Sequence, residues 1–116
     1  MYSSHFEMVY NQITDGVKIK VSRRDDNLIL SEIQFQKGAL FPEHIHTSDH
    51  SGYLLQGKIR IVKDGISSEM VKGDSWCIGK NICHYTEALD DSVVIELFAL
   101  DGEVLEEHLV SNEFEI

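Results

Sequence analysis

Short runs in which apolar and polar side chains alternate dominate this chain. Val17-Lys18-Ile19-Lys20-Val21 and Lys58-Ile59-Arg60-Ile61 alternate residue by residue, the period of a strand with one buried face and one wet one. Val93-Val94-Ile95 has no alternation and predicts a strand covered on both faces. Further runs rich in β-branched and apolar residues cover 28–35, 53–55, 68–71, 76–78 and 93–98. Turn signals separate them: Thr14-Asp15-Gly16, Asp25-Asp26-Asn27, Lys37-Gly38, Ser51-Gly52, Gln56-Gly57, Asp64-Gly65, Lys72-Gly73 and Asp90-Asp91. Many short strands at close spacing predict an all-β sandwich or barrel. One short helix is expected over 103–110, where Val104, Leu105, His108 and Leu109 fall near one stripe. The first dozen residues show no period; they are expected to cover the barrel or to pair with a neighbouring subunit.

Composition narrows the class. The 116 residues are expected to form one domain, 1–116, with the barrel core over 16–99. A domain of this size buries roughly two-thirds of the surface its unfolded chain exposes. Hydrophobic content of 42% and charged content of 26% are those of a globular protein. The formal charge of -10 argues against nucleic acid and anionic membranes as partners, since both need a basic face. An anionic small substrate stays open, because a bound cation can dominate a site locally. The chain start lacks the basic and apolar segments of a secretion signal. No apolar run approaches the ~20 residues that span a bilayer, so a cytoplasmic location is expected. Cys77 and Cys83 form no disulfide framework and read as small, partly buried hydrophobes.

The candidate chemistry lies in histidine. His44, His46 and His50 sit at offsets of two and six, and even offsets in a strand point to one face. His84 follows in a second segment beginning at Gly73. Four imidazoles able to converge point to a divalent transition metal: Ni, Zn, Fe, Mn, Cu or Co. The competing reading is that some of them only hydrogen-bond inside the barrel mouth. His50 is the weakest of the four, with Asp49 as its substitute if the loop shifts by one residue. His5 and His108, near the termini, read as surface residues.

These two segments resemble the paired motifs of the cupin superfamily. The first motif is Gly, five residues, His-x-His, three or four residues, Glu, six residues, Gly. The chain reads Gly38-Ala-Leu-Phe-Pro-Glu-His44-Ile-His46-Thr-Ser-Asp-His50-Ser-Gly-Tyr-Leu-Leu-Gln-Gly57, with His50 in place of glutamate. The second motif is Gly, five residues, Pro-x-Gly, two residues, His. Here it is Gly73-Asp-Ser-Trp-Cys-Ile-Gly79-Lys-Asn81-Ile-Cys-His84. Gly79 stands for the proline and removes a constraint on φ. Asn81 stands for the glycine, and asparagine tolerates the left-handed conformation. The resemblance implies a small antiparallel β-barrel of jelly-roll type and metal ligands at His44, His46, His50 and His84. With four neutral imidazoles the ion keeps its full charge, which favours an anionic oxygen substrate. Barrels of this size often pair, so a homodimer is expected.

A closer likeness covers 16–98. Asp15-Gly16-Val17, Leu28-Ile29-Leu30, Lys37-Gly38-Ala39, Ser51-Gly52-Tyr53 and Asp91-Ser92-Val93-Val94-Ile95-Glu96-Leu97-Phe98 look like the small cupins of pectin and alginate degradation. Those enzymes convert cyclic unsaturated uronates to linear keto forms. Their pattern has an acidic residue and a phenylalanine two apart on the last long strand, matched by Glu96 and Phe98. The resemblance implies that Glu96 moves a proton and that Phe98 meets the substrate. Tyr53 and Trp76 are expected to pack in the core, with Tyr53 alternatively presenting its hydroxyl to a substrate. The family also has an arginine soon after the phenylalanine. This chain has Ala99-Leu100-Asp101-Gly102-Glu103 there, and no arginine follows Arg60. Arg23, Arg24, Arg60 and Lys80 are the substitutes considered. The leading expectation is a metal-dependent isomerase acting on a small anionic sugar-derived substrate. A metal-dependent dioxygenase and a non-catalytic ligand-binding or sensing module are the alternatives.

Overall fold

The computed structural model describes residues 4, 9–24, 27–45 and 48–99, without the side chains of Arg23 and Arg24. The expected helix over 103–110 lies outside them, as do His5, His46 and His108.

The described residues form ten strands in two antiparallel sheets. In chain order they are β1 (Asn11–Thr14), β2 (Val17–Arg24), β3 (Leu28–Phe35), β4 (Leu40–His44) and β5 (His50–Gln56), then β6 (Lys58–Lys63), β7 (Ile66–Val71), β8 (Ser75–Ile78), β9 (His84–Ala88) and β10 (Ser92–Ala99). One sheet has the order β1-β2-β3-β10-β5-β8 and the other β4-β9-β6-β7. Two such sheets face to face make the all-β barrel that the alternation predicts.

Three strands went unread in the sequence. The first, β1, pairs with β2, so part of the featureless start covers the barrel. Pro42 lies inside β4, an edge strand of the smaller sheet, where a missing N–H does no harm to the ladder. The third, β9, begins at His84 itself. Ser51-Gly52 is not a turn but the middle of β5. A Cβ on Gly52 would lie 2.2 Å from the Trp76 ring, so this glycine serves close packing, not chain reversal.

The inward faces meet in an apolar core. Val17, Ile19, Ile33, Phe35, Leu54, Ile78 and Val94 of the larger sheet pack on Phe41, Ile59, Ile61 and Ala88 of the smaller one. Val94 is buried at the centre of β10, which lies between β3 and β5. One departure from alternation is Lys20, 4% exposed on the outer face. Its ammonium lies 3.6 Å from the Glu32 carboxylate and 5.2 Å from the centre of the Tyr10 ring.

Candidate metal and proton-transfer site

Beyond Val94 the inward row of β10 turns polar. Glu96 and Phe98 continue that row, in register with Gly52 and His50 of β5. On the smaller sheet His44 pairs with His84 across β4 and β9. Strand alternation and these registers gather His44, His50, His84, Glu96 and Phe98 at one end of the barrel. The His44 and His84 ring centres lie 4.2 Å apart, and those of His50 and His84 5.4 Å apart. Phe98 is buried and stacks on His50 at 5.2 Å. The space enclosed is about 20 Å³, room for one ion or one water.

Two histidines are held by the backbone. The Nδ1 of His44 lies 2.7 Å from the Pro42 carbonyl, and that of His84 2.9 Å from the Ile82 carbonyl. These contacts require Nδ1 to carry the proton. Each Nε2 then presents a lone pair, the arrangement in which histidine binds a metal. Burial, reinforced by the His84 and His44 imidazoles and opposed by Asp49, pulls His50 down to about 3. Burial also lowers His84, against its backbone hydrogen bond and with a further push from the Lys63 ammonium. Neutral imidazoles are what a metal requires. Among the described residues the three histidines do not by themselves complete a metal centre; His46 is the fourth member of the sequence motif.

Glu96 faces this cluster, with Oε2 3.6 Å from the His50 Nε2 and a side chain 14% exposed. Burial pushes its carboxyl up to about 8. At neutral pH Glu96 and His50 therefore meet as neutral groups, not as an ion pair. A carboxyl poised near neutrality is suited to both giving and taking a proton.

A cupin-domain signature matches residues 31–104, more than half of the chain and the segment that carries these residues. The chain belongs to the cupin family. It is 30% identical over 95 residues to the pectin degradation protein KdgF of Dickeya dadantii, covering 80% of this chain and 86% of that one. The structure of KdgF from Halomonas sp. superposes with a TM-score of 0.81 at 24% identity, covering 90% of this chain and 97% of the other. An RmlC-like cupin from Shewanella frigidimarina gives a TM-score of 0.81 at 22% identity, over 90% and 94% of the two chains. Both superpositions establish the fold alone. The all-β jelly-roll barrel of the sequence analysis and its likeness to the pectin-degradation cupins both hold.

Not every candidate residue of this cupin reaches the site. Tyr53 is 45% exposed and lies an odd number of positions from His50, so alternation turns it to the outer face, away from the cavity. Asp49 is exposed and accepts the backbone N–H of Lys80 at 2.8 Å, while His50 faces inward. Arg60 lies on the outer face of the smaller sheet, 2.7 Å from Glu87 and 3.8 Å from Glu69. Asn81 adopts φ 65°, the left-handed conformation expected of it. Cys77 and Cys83 are both free, Cys77 exposed and Cys83 half-buried.

Two residues went unnoticed in the sequence. Ser31 is 1% exposed and lies opposite Glu96 on β3; its hydroxyl has no partner among the described residues. Lys63 ends the inward row Ile59, Ile61, Lys63 and pairs in register with His84. That row was legible from the alternation of β6. A cleft of about 360 Å³, lined in part by Gln12, Lys18, Gln34 and Gln56, lies away from the histidines, near the start of β10.

Proposed function

We propose that this cupin is a metal-dependent isomerase that opens the ring of a small anionic sugar-derived substrate such as an unsaturated uronate. The observation that carries the reading is the buried Glu96 carboxyl aimed at the histidine cluster, 3.6 Å from His50. The likeness to a pectin degradation protein supports the substrate class.

In this reading His44, His46, His50 and His84 hold a divalent transition metal, whose chemistry here is to polarise a substrate oxygen. The all-imidazole donor set suits Ni, Zn, Fe, Mn, Cu or Co better than Mg or Ca. Glu96 is the proton carrier. The ionised form of Glu96, accessible near neutral pH because burial poises the carboxyl at about 8, takes the proton of the ring hydroxyl as the adjacent carbon–oxygen bond of the ring breaks, leaving an aldehyde and an enolate. The carboxyl returns that same proton to the enolate carbon as the ketone forms, so no proton is gained or lost overall. Phe98, stacked on His50, holds that ring in place and keeps water from the carboxyl.

The protein works on a small molecule, and its formal charge of -10 disfavours nucleic acid and anionic membranes as partners. The two free cysteines support a cytoplasmic setting, and no helix among the described residues is long and apolar enough to cross a membrane.

The test is turnover of a 4,5-unsaturated galacturonate, followed by loss of its conjugated double-bond absorbance, beside metal analysis. Glu96→Gln should lower kcat by about 100-fold or more while keeping the metal. His84→Ala should lose both metal and activity. Oxygen uptake without isomerisation would instead establish the dioxygenase. Ligand binding without turnover of any kind would leave a sensing module.

A further inference from the structure

The chain as a whole is strongly acidic, yet a cation stands at the rim of the histidine cavity. Lys63 is the last residue of β6. It shares the inward row with Ile59 and Ile61, and it is in register with His84 on β9 and with Ile66 on β7. Its ammonium is near enough to His84 to disfavour a second charge there. The other lysine and the arginine of this sheet differ. Lys58 lies 3.4 Å from Glu69 and Arg60 is held by Glu69 and Glu87, both on the outer face. Among the described residues Lys63 makes no ion pair.

Beside Lys63 is a cavity of about 270 Å³, lined by Ile61, Ile66, Met70, Trp76 and Ile78. It opens between β7 and β8, the edge strands of the two sheets. Trp76 and Ile78 also line the small space around Glu96 and the histidines, so the two spaces share a wall. The inner space holds one ion or water, and the outer one has the volume of a small organic molecule. An apolar wall with one cation at its rim is a site for a compact anion. A sugar ring laid along Trp76 would bring its carboxylate to the ammonium.

We infer that Lys63 binds the substrate carboxylate, and that substrate enters through the apolar gap between β7 and β8. This rests on the anionic, sugar-derived substrate class proposed above. The carboxylate is carried by the ring carbon that becomes the ketone, so Lys63 holds the group beside the reacting atoms without itself moving a proton. It therefore sets which substrate binds and leaves the proton-transfer step to Glu96.

The experiment compares binding of D-galacturonate and of its uncharged methyl ester, by calorimetry at low salt, to the wild-type protein, Lys63→Met and Lys63→Arg. Galacturonate has no double bond to isomerise, so the readout does not depend on turnover. The wild type should prefer the acid by about tenfold. Lys63→Met should bring the two ligands level and Lys63→Arg should keep the preference. Thermal unfolding confirms that the variants fold, as expected for an exposed side chain whose stem methionine retains. A preference that survives in Lys63→Met, or is missing in the wild type, overturns the inference. Turnover of the unsaturated uronate is measured on the same proteins. Activity with an unchanged KM in Lys63→Met would refute Lys63 and leave the isomerase standing. A Lys63-dependent preference without turnover would refute the isomerase and leave Lys63 standing.

Discussion

Glu96 and His50 make opposite demands on pH. The Glu96 carboxyl titrates near 8 in the fold against an ordinary 4.5. Between those values the unfolded chain has released a proton that the folded chain keeps, so stability falls as pH rises through the window. His50 titrates near 3 against an ordinary 6.5. There the unfolded chain takes up a proton that the folded chain refuses, so stability falls as pH drops from 6.5 towards 3. Each slope is about 1.4 kcal/mol per pH unit, and the two cancel between 4.5 and 6.5. His84, also lowered from 6.5 by burial, adds an uncancelled slope of the His50 sign, so the metal-free protein should show its highest Tm near pH 6.5 and a decline on both sides. Thermal unfolding over a pH series checks this. Glu96→Gln should flatten the alkaline limb, and an alkaline limb that persists in this variant would refute the assignment to Glu96. Even spacing already puts Glu96 and Phe98 on one face in the sequence, and odd spacing already separates Tyr53 from His50. What burial does to their protons was not legible, because it depends on the facing sheet.

At the scale of elements, Gly52 shows how a local signal is overruled. Ser51-Gly52 has the composition of a turn, yet Gly52 pairs with Glu96 on one side and Trp76 on the other. The missing side chain lets the Trp76 indole lie across the strand, where it walls both the inner space and the outer cavity. Gly52→Ala should therefore destabilise by about 1–3 kcal/mol and disturb activity as well, read from chemical denaturation and kcat together. A fully stable Gly52→Ala would mean that the indole moves aside at no cost. Asn81 is the opposite case. The left-handed φ was foreseeable from residue type alone, because a turn's demand on its own residue is local. Strand β4 was hidden for a related reason. Its proline argues against a strand until the sheet order reveals an edge.

Across the whole molecule, the outer face of the larger sheet is open. Leu30 and Leu97 are cross-strand neighbours, 37% and 41% exposed, with Leu55 at 48% on the neighbouring β5. We propose that two copies pair there, since single exposed leucines are ordinary but a cross-strand apolar group is not. Light scattering should return twice the chain mass of 13.2 kDa, and Leu30→Glu should return the single mass. A monomeric parent would refute the pairing. Because the two sheets share one core cluster, the protein should unfold in a single transition seen alike by fluorescence and circular dichroism.

The sequence by itself determined the all-β class, the faces of the regular strands and that Glu96 and Phe98 share a row. Those follow from a period of two and from motif spacing, both properties of neighbours along the chain. His44, His50 and His84, by contrast, fall on three strands of two sheets. Only the tertiary structure decided that the rows meet, that His44 and His84 turn Nε2 away from the backbone, and that Glu96 is buried. It also placed Lys63 beside an apolar gap. These depend on which strands pair and in what register. Charge and polarity in a site are set by groups far apart in sequence, and no local pattern encodes the distance between them.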